Sequence, residues 1–187
     1  YRPPFVLGHD VAGVVVRVGT RVKRFKAGDE VYARPSDRRI GTFANLIAVQ
    51  ENALALKPKN LTMEEAASIP LVGLTAWQAL IERAHLQKGQ KVLIHAGSGG
   101  VGTFAIQLAK HVGATVATTT STGNVDLVRG LGADVVIRTG QQDARRRVME
   151  ETGGCGGDVV ITACSVPAVQ EQSLDLLAPF GRVCFFG

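Results

Sequence analysis

The stretch KVLIHAGSGGVGTFAIQLAKHVGA, residues 91–114, decides the fold of this chain. Its first part, KVLIHA, predicts a buried strand that runs into a glycine-rich turn. The part after the turn predicts an amphipathic helix, which Gly113 ends. The apolar stripe of this helix is formed by Val101, Phe104, Ala105, Leu108, Ala109 and Val112. A strand, a glycine turn and a helix in this order begin a parallel α/β arrangement.

The same alternation continues to the end of the chain. Further strands are predicted at TVATTT (115–120), DVVIRT (134–139), DVVITAC (158–164) and GRVCFF (181–186). Further helices are predicted at VDLVRGLG (125–132), ARRRVMEETG (144–153) and AVQEQSLDLLA (168–178). We expect Pro179 to close the last helix. Five strands alternating with four helices predict a doubly wound α/β fold with a parallel sheet and right-handed crossovers.

The first third of the chain has a different character. Short strands are predicted at AGVVVRVG (12–19), GDEVYA (28–33) and FANLIAVQ (43–50), separated by glycines. After them, Thr62 and Glu65 have the spacing of a capping box and predict the start of a helical segment, which Pro70 breaks. We therefore expect a β-rich domain over 1–60, a helical linker over 61–88 and a dinucleotide-binding domain over 89–187.

The glycine turn has the spacing G-x-G-x-x-G at Gly97, Gly99 and Gly102. The first glycine permits a tight turn, the second lets the backbone approach a pyrophosphate, and the third lets helix and strand pack closely. The amide groups at the start of the helix add hydrogen-bond donors and a partial positive charge. The motif predicts dinucleotide binding, and the alternative is a glycine-rich turn with a structural role only.

The end of TVATTT (115–120), the second strand of the predicted parallel sheet, is the place that distinguishes an NAD site from an NADP site. An NAD site usually has an acidic residue there that binds the ribose 2′-hydroxyl, but residues 117–124, ATTTSTGN, contain none. The first acid is Asp126, inside the next helix, and Arg129 one turn later adds positive charge. The hydrogen-bond donors available to a 2′-phosphate are Thr119, Thr120, Ser121 and Asn124. This stretch favours NADP(H), unless these are ordinary strand-end and turn residues.

Composition excludes several classes of protein. Lysine and arginine total 21 against 16 acidic residues, a net charge of +5, without a dense basic block. The longest basic run, Arg145–Arg147, predicts a solvated helix face, and we expect no nucleic-acid partner. Three cysteines without paired spacing indicate a reducing compartment, and we predict a cytoplasmic protein. No apolar run reaches membrane-spanning length, and no signal peptide is visible.

Four blocks of the chain resemble the medium-chain dehydrogenase/reductase superfamily, and within it the quinone oxidoreductase, or zeta-crystallin-like, branch. The blocks are GHDVAGVVVRVGTRVKRFKAGDEVYA (8–33), GTFANLIAV (41–49), LTMEEAASIPLVGLTAWQAL (61–80) and GQKVLIHAGSGGVGTFAIQLAKHVGATVATTTS (89–121). The resemblance implies a GroES-like catalytic domain followed by a Rossmann domain. It also implies that about 50 residues before the chain and a tail after it are missing, so that both domains are truncated. The full-length protein is then expected to be a homodimer or homotetramer.

The resemblance also implies roles for residues outside the glycine turn. It places Thr75 near the nicotinamide, Ala163 and Cys164 near the adenosine, and Phe186 and Gly187 near the nicotinamide. From about Gly153 onwards, however, the chain is more similar to the zinc-dependent polyol and threonine dehydrogenase branch.

His9 is a candidate zinc ligand, and its role distinguishes a zinc-dependent from a zinc-independent reaction. In the zinc branch, further ligands lie upstream and in the linker, but the linker residues SIPLVGLTAW (68–77) offer no Cys, Asp, Glu or His. No four-cysteine loop follows Asp29, and we expect no metal ligand in this chain. Without zinc, hydride transfer to an activated acceptor is favoured over oxidation of an unactivated alcohol.

We therefore expect a zinc-independent, NADPH-dependent reductase of a quinone, an enone or an enal. The alternatives are a zinc-dependent alcohol or polyol dehydrogenase and a non-catalytic NADPH-binding sensor or scaffold. No catalytic residue is assigned, although Tyr32 is considered as a proton donor. The predicted cofactor-binding residues are Thr75, Gly97, Ser98, Gly99, Gly100, Val101, Gly102, Thr119, Thr120, Ser121, Asn124, Ala163, Cys164, Phe186 and Gly187.

Overall fold

The computed structural model describes residues 3–36, 40–162 and 166–186. The chain forms two compact units, Tyr1–Leu74 and Thr75–Gly187. Throughout these ranges, no helix combines the length and the apolar character that crossing a membrane requires. The predicted division into 1–60, 61–88 and 89–187 stays a prediction.

The first unit contains a small antiparallel sheet. Its strands are β1 (Val11–Val14), β2 (Glu30–Ala33) and β3 (Leu54–Leu56), in the order β1-β2-β3. The prediction of a strand over 43–50 is wrong, because this stretch has no strand partner in the described residues and the third strand lies at 54–56. Phe43 and Leu46 are largely exposed, so apolar β-like composition alone does not make a strand there.

Two short helices follow the sheet. Helix α1 (Met63–Ala67) begins with the predicted capping box, in which Thr62 and Glu65 each accept a hydrogen bond from the other's backbone N–H. Helix α2 (Pro70–Trp77) begins at the proline and continues into a π-helical turn, Gln78–Arg83. The carboxylate of Asp10 accepts a hydrogen bond of 2.7 Å from the Leu71 N–H. A residue distant in sequence therefore caps α2.

The second unit has the predicted alternation of strands and helices. Its elements are β4 (Lys91–Ile94), α3 (Gly100–Val112), β5 (Thr115–Thr120), α4 (Val125–Gly130), β6 (Val135–Arg138), α5 (Ala144–Thr152), β7 (Gly157–Thr162), α6 (Pro167–Asp175) and β8 (Leu177–Phe185). All strand pairs of this sheet are parallel, in the order β6-β5-β4-β7-β8. The predicted class, α/β with a doubly wound parallel sheet after a β-rich part, is confirmed.

The last helix is shorter than predicted. It ends at Asp175, and β8 begins at Leu177, so Pro179 lies inside a strand instead of closing the helix. The physical reason is sheet pairing, because Leu177 pairs with Gly157 before a shift of register. The predicted strand over 158–164 is described only as far as Thr162.

The core lies on both faces of the parallel sheet. Side chains that alternate along the central strands are buried in both directions, as a doubly covered sheet requires. On one face, Ile94, Val116 and Ile161 pack with Ala105 and the apolar stripe of α3. On the other face, residues such as Leu93, Val160 and Leu176 form a second cluster. The apolar stripe predicted for α3 is therefore its buried side.

Candidate cofactor-binding site

The glycine turn connects β4 to α3 through residues 95–99. A methyl group at Gly97 would overlap the Thr118 hydroxyl and lie 3.1 Å from the Ile106 side chain. At Gly102 it would overlap the carbonyl oxygen of Ala96 and lie 2.6 Å from the Cα of Gly97. Protein packing alone therefore requires glycine at the first and third positions of the motif.

Gly99, the second glycine, is in a different environment. A methyl group there would have one neighbour within 4 Å in the described residues, the Ala96 carbonyl oxygen at 3.3 Å. Gly99 is exposed and is the N-cap of α3, with φ −78° and ψ 169°, a conformation open to any residue. Ser, Thr, Asp or Asn would cap the helix better. The backbone conformation does not require glycine there, and packing opposes a side chain through this single tight contact only. Open space for a phosphate gives a further reason for glycine at this position.

The start of α3 supplies donors beside that space. The first intrahelical hydrogen bond is donated by the Thr103 N–H to the Gly99 carbonyl, at 2.9 Å. The N–H groups of Gly100, Val101 and Gly102 come before it, at the positive end of the helix dipole. Anionic oxygens are the natural partners of such groups.

The end of β5 holds the glycine turn in place. The Thr120 hydroxyl donates to the Ser98 Oγ at 2.9 Å, and the Asn124 amide donates to the same oxygen at 3.2 Å. Asn124 also donates to the Ser121 Oγ at 3.0 Å. Ser98, Thr120, Ser121 and Asn124, all predicted to bind the cofactor, thus lie together, and they form hydrogen bonds with one another. Thr120 is only 3% exposed.

His95, the first residue after β4, has no role assigned from the sequence. It is 7% exposed, and its Nδ1 lies 3.3 Å from the Thr119 hydroxyl. The same hydroxyl accepts a hydrogen bond of 3.0 Å from the Ala96 N–H. Burial lowers the pKa of His95, which favours the neutral imidazole. The Nε2 atom has no hydrogen-bond partner among the described residues. No sequence pattern signals this link between the turn and β5.

The residues assigned by resemblance lie at several places. Thr75 is half-buried in α2, and Phe186 is half-buried after β8, where it packs against the larger core cluster. The Phe186 N–H donates to the Thr162 carbonyl at 3.2 Å, at the carboxyl end of β7. The predictions for Ala163, Cys164 and Gly187 lie outside the described residues.

A metal site does not assemble from the described side chains. Three or more His, Cys, Asp or Glu residues with the geometry to hold an ion are found nowhere in 3–36, 40–162 or 166–186. His9 is next to Asp10, whose carboxylate caps α2. Burial raises the pKa of Asp10, although the Leu71 hydrogen bond and the charges of Arg34 and His9 oppose this shift. The residues described do not by themselves fit a zinc ion.

Comparison with known families matches both parts of the chain. The alcohol dehydrogenase GroES-like domain matches residues 1–59, and the zinc-binding dehydrogenase family matches residues 100–187.

Three curated proteins illustrate the similarity. The 2-methylene-furan-3-one reductase of Solanum lycopersicum and the chloroplastic NADPH-dependent alkenal/one oxidoreductase of Arabidopsis thaliana are each 50% identical over 142 residues, 72% of this chain and 36% of theirs. The mitochondrial NAD(P)H oxidoreductase RTN4IP1 of Danio rerio is 39% identical over 97% of this chain and 47% of its own. The chain thus spans between about a third and a half of the length of these relatives.

Solved structures agree with the whole fold. An alcohol dehydrogenase superfamily protein from Novosphingobium aromaticivorans matches with a TM-score of 0.92 and 40% identity, over 97% of this chain and 55% of that one. A quinone oxidoreductase from Pseudomonas syringae matches with a TM-score of 0.90 and 34% identity, over 100% of this chain and 58% of that one. Together with the two family matches, the sheet topology and the glycine turn, these similarities show that the chain belongs to the medium-chain dehydrogenase/reductase superfamily.

Proposed function

We propose that this chain carries the cofactor-binding part of an NADPH-dependent oxidoreductase that transfers hydride to a quinone, an enone or an enal. The observation that carries the proposal is Gly99, a helix N-cap without a side chain, beside the N–H groups of residues 100–102, which precede the first intrahelical hydrogen bond. A structural turn explains Gly97 and Gly102, where a Cβ would overlap neighbouring atoms, whereas at Gly99 a Cβ would meet one described atom within 4 Å, the Ala96 carbonyl oxygen at 3.3 Å. The names of the relatives, which include NADPH-dependent and NAD(P)H oxidoreductases, support the same cofactor.

In this proposal the pyrophosphate binds over the glycine turn. The backbone N–H groups of residues 100–102 donate to it, and Ser98 shapes the loop through its bonds to Thr120 and Asn124. Ser121, the first residue after β5, is exposed, and we assign its hydroxyl to the ribose end of the site. Thr75, Ala163, Cys164, Phe186 and Gly187 remain predicted contacts of the other parts of the cofactor.

The chemistry follows from the cofactor that the site suits. When bound, NADPH would supply hydride to the β-carbon of an enone or enal, or to a quinone, and become NADP⁺; the reduced acceptor would then take up a proton at the α-carbon or at the oxygen. The protein has to orient the two reactants and exclude water, and a Lewis acid is not required for such an acceptor. The proton donor stays unassigned; Tyr32, half-buried in the middle of β2, stays a prediction.

A zinc-dependent alcohol or polyol dehydrogenase is the second candidate. It is favoured by the family match of residues 100–187, which is described as a zinc-binding dehydrogenase. Metal analysis of the complete protein separates the two candidates: a stoichiometric zinc whose removal abolishes turnover supports the second, whereas reduction of enones or quinones by metal-free protein supports the first.

The compartment and the partners are predictions. The chain is expected in the cytoplasm, although two of the relatives are named chloroplastic and mitochondrial. A small-molecule substrate and a homodimer or homotetramer are expected for the full-length protein.

The proposal is tested by titrating the complete protein with NADPH and NADH and following the fluorescence of the bound nicotinamide. We expect saturable binding of NADPH, and its oxidation when an enone, an enal or a quinone is added. Replacing Gly99 with Asp should weaken NADPH binding about tenfold or more without unfolding the chain, because its carboxylate would occupy and repel the phosphate space. Absence of binding to either nucleotide would refute the proposal, and binding without turnover across the acceptor panel would favour a sensor or scaffold.

A further inference from the structure

Ala96, which precedes the first glycine of the turn, has an unusual backbone conformation. Its φ is 55°, in the left-handed region that residues with a side chain seldom adopt. Ala96 is exposed, so burial of its methyl group does not account for this conformation. A strained backbone persists only where its surroundings hold it, and such strain is concentrated at functional sites. The contacts of the main chain around Ala96 therefore have to explain it.

The end of β5 holds the main chain on both sides of Ala96. The Ala96 N–H donates to the Thr119 hydroxyl at 3.0 Å, and the Gly97 N–H donates to the Thr119 carbonyl at 2.9 Å. These two N–H groups lie on either side of the φ and ψ torsions of Ala96. Because one residue of β5 accepts both protons, it fixes both torsions.

His95 orients the hydroxyl that makes the first of these two contacts. Its Nδ1 lies 3.3 Å from the Thr119 Oγ1. Since this oxygen already accepts from the Ala96 N–H, we assign the hydroxyl proton to Nδ1, which accepts it in the neutral imidazole. The ring is buried, and the backbone N–H of His95 donates to the Ile161 carbonyl of β7 at 3.0 Å. We call His95 and Thr119 the turn clamp.

The clamp determines where the carbonyl of Ala96 points. This carbonyl accepts the Gly99 N–H at 2.9 Å. Its oxygen is also the atom that a Cβ at Gly99 would meet at 3.3 Å and that a Cβ at Gly102 would overlap. The start of α3 therefore rests on this carbonyl. A rotation of the Ala96 peptide would move the N–H groups of residues 100–102, which are the proposed donors to the pyrophosphate.

We infer that His95 and Thr119 are positioning residues of the dinucleotide site: they keep Ala96 in its left-handed conformation and so align the donors at the start of α3 with the pyrophosphate. This inference rests on the proposed function. It gives the Thr119 hydroxyl a role other than the 2′-phosphate contact that the sequence suggested, because the turn and His95 already engage it. NADPH and NADH share the pyrophosphate, so the clamp should matter equally for both.

The inference is tested in the complete protein with Thr119→Val and Thr119→Ala, which both remove the hydroxyl. Thr119→Ser keeps the hydroxyl and is the conservative variant. Thr115→Val is the matched control, because it makes the same change at an exposed position at the other end of β5. Ala96→Gly is made alone and together with Thr119→Val, since glycine adopts a positive φ without steric cost. Dissociation constants for NADPH and NADH are measured well below the Tm of every variant.

Thr119→Val and Thr119→Ala should bind both nucleotides about 3- to 10-fold more weakly, by the same factor for NADPH and NADH. Thr119→Ser and Thr115→Val should stay within about twofold of the unaltered protein. With Ala96→Gly present, the loss caused by Thr119→Val should shrink to less than about twofold, because the clamp is no longer needed to hold the backbone. A merely structural role of Thr119 would not produce this recovery.

His95→Leu tests the second residue of the clamp. It should weaken binding of both nucleotides roughly 2- to 3-fold in the unaltered protein and add nothing to Thr119→Val, because the two residues act through one contact. Additive losses would overturn the role of His95.

Three results would overturn the role of Thr119. Weaker binding of NADPH alone would indicate a contact with the 2′-phosphate. An equal loss with and without Ala96→Gly would show that the hydroxyl does not act through this backbone. Unchanged affinity in both hydroxyl-free variants would show that it does not act on the site at all. Failure of the unaltered protein to bind either nucleotide would instead refute the proposed function.

Discussion

Gly102→Ala tests the claim that packing fixes the third glycine of the turn. The new methyl group would overlap the Ala96 carbonyl oxygen and lie 2.6 and 2.8 Å from the Cα and carbonyl carbon of Gly97. All three neighbours are backbone atoms, so no side-chain rotation relieves the contact. The helix start must move away from the turn that it supports.

The magnitude follows from two opposing contributions. Overpacking costs about 1–3 kcal/mol, and backbone neighbours place this site near the upper end. Alanine also favours the helix by roughly 0.8–1.0 kcal/mol relative to glycine. Gly130→Ala in α4 is the matched control, because a methyl group there has no neighbour within 4 Å among the described residues. The difference between the two variants isolates the steric contribution, which we expect to be about 2–3 kcal/mol.

Thermal unfolding and NADPH binding provide the assay. A destabilisation of 1 kcal/mol lowers Tm by roughly 2–4 °C in a chain of this size, so the two variants should differ by about 4–12 °C. Gly102→Ala should also weaken NADPH binding, because it displaces the turn, whereas Gly130→Ala should not. Equal Tm values for the two variants would show that the helix start is free to shift and that the packing argument is wrong.

Three further perturbations follow from the structure. Burial lowers the pKa of His95, so the stability that its neutral form contributes is present above the unfolded pKa of about 6.5 and is lost as pH falls through the lower folded pKa. Between pH 7.5 and 5.5, the free energy of unfolding in urea should therefore fall less for His95→Gln than for the unaltered protein. An equal fall in the two proteins would contradict this. Asp10→Ala removes the cap of α2 and should lower the free energy of unfolding by about 1 kcal/mol. Asp10→Asn keeps a hydrogen-bond acceptor and should lower it by less. Equal decreases for the two variants would argue against a capping role. Asp134→Ala should lower the free energy of unfolding by about 1–3 kcal/mol, because the buried N–H of Val116 loses its acceptor at 2.7 Å. Lys110→Met, which removes the exposed partner charge of Asp134, should lower it by at most about 1 kcal/mol. The reverse order in chemical denaturation would argue against a stabilising role of the Asp134–Val116 hydrogen bond.

Local sequence patterns were sufficient for several elements of both units. The apolar stripe of α3, its stop at Gly113 and the capping box at Thr62 are set by spacing along the chain, and all are present in the structure. Patterns that need a distant partner were less reliable. The stretch 43–50 has strand composition without a strand partner, and β8 begins before Pro179 because Leu177 pairs with Gly157.

The sequence by itself determined the alternation of strands and helices and the position of the glycine turn, because hydrophobic period and turn residues act over a few neighbouring residues. Only the tertiary structure decided the strand order and what surrounds each of the three glycines of the turn. At Gly97, for example, the space for a side chain is taken by Thr118 and Ile106, which belong to other elements. The tertiary structure also showed that Thr120 and Asn124 hold Ser98. Thr119 reaches the Ala96 N–H, 23 residues earlier in the chain, only because β4 and β5 pair side by side.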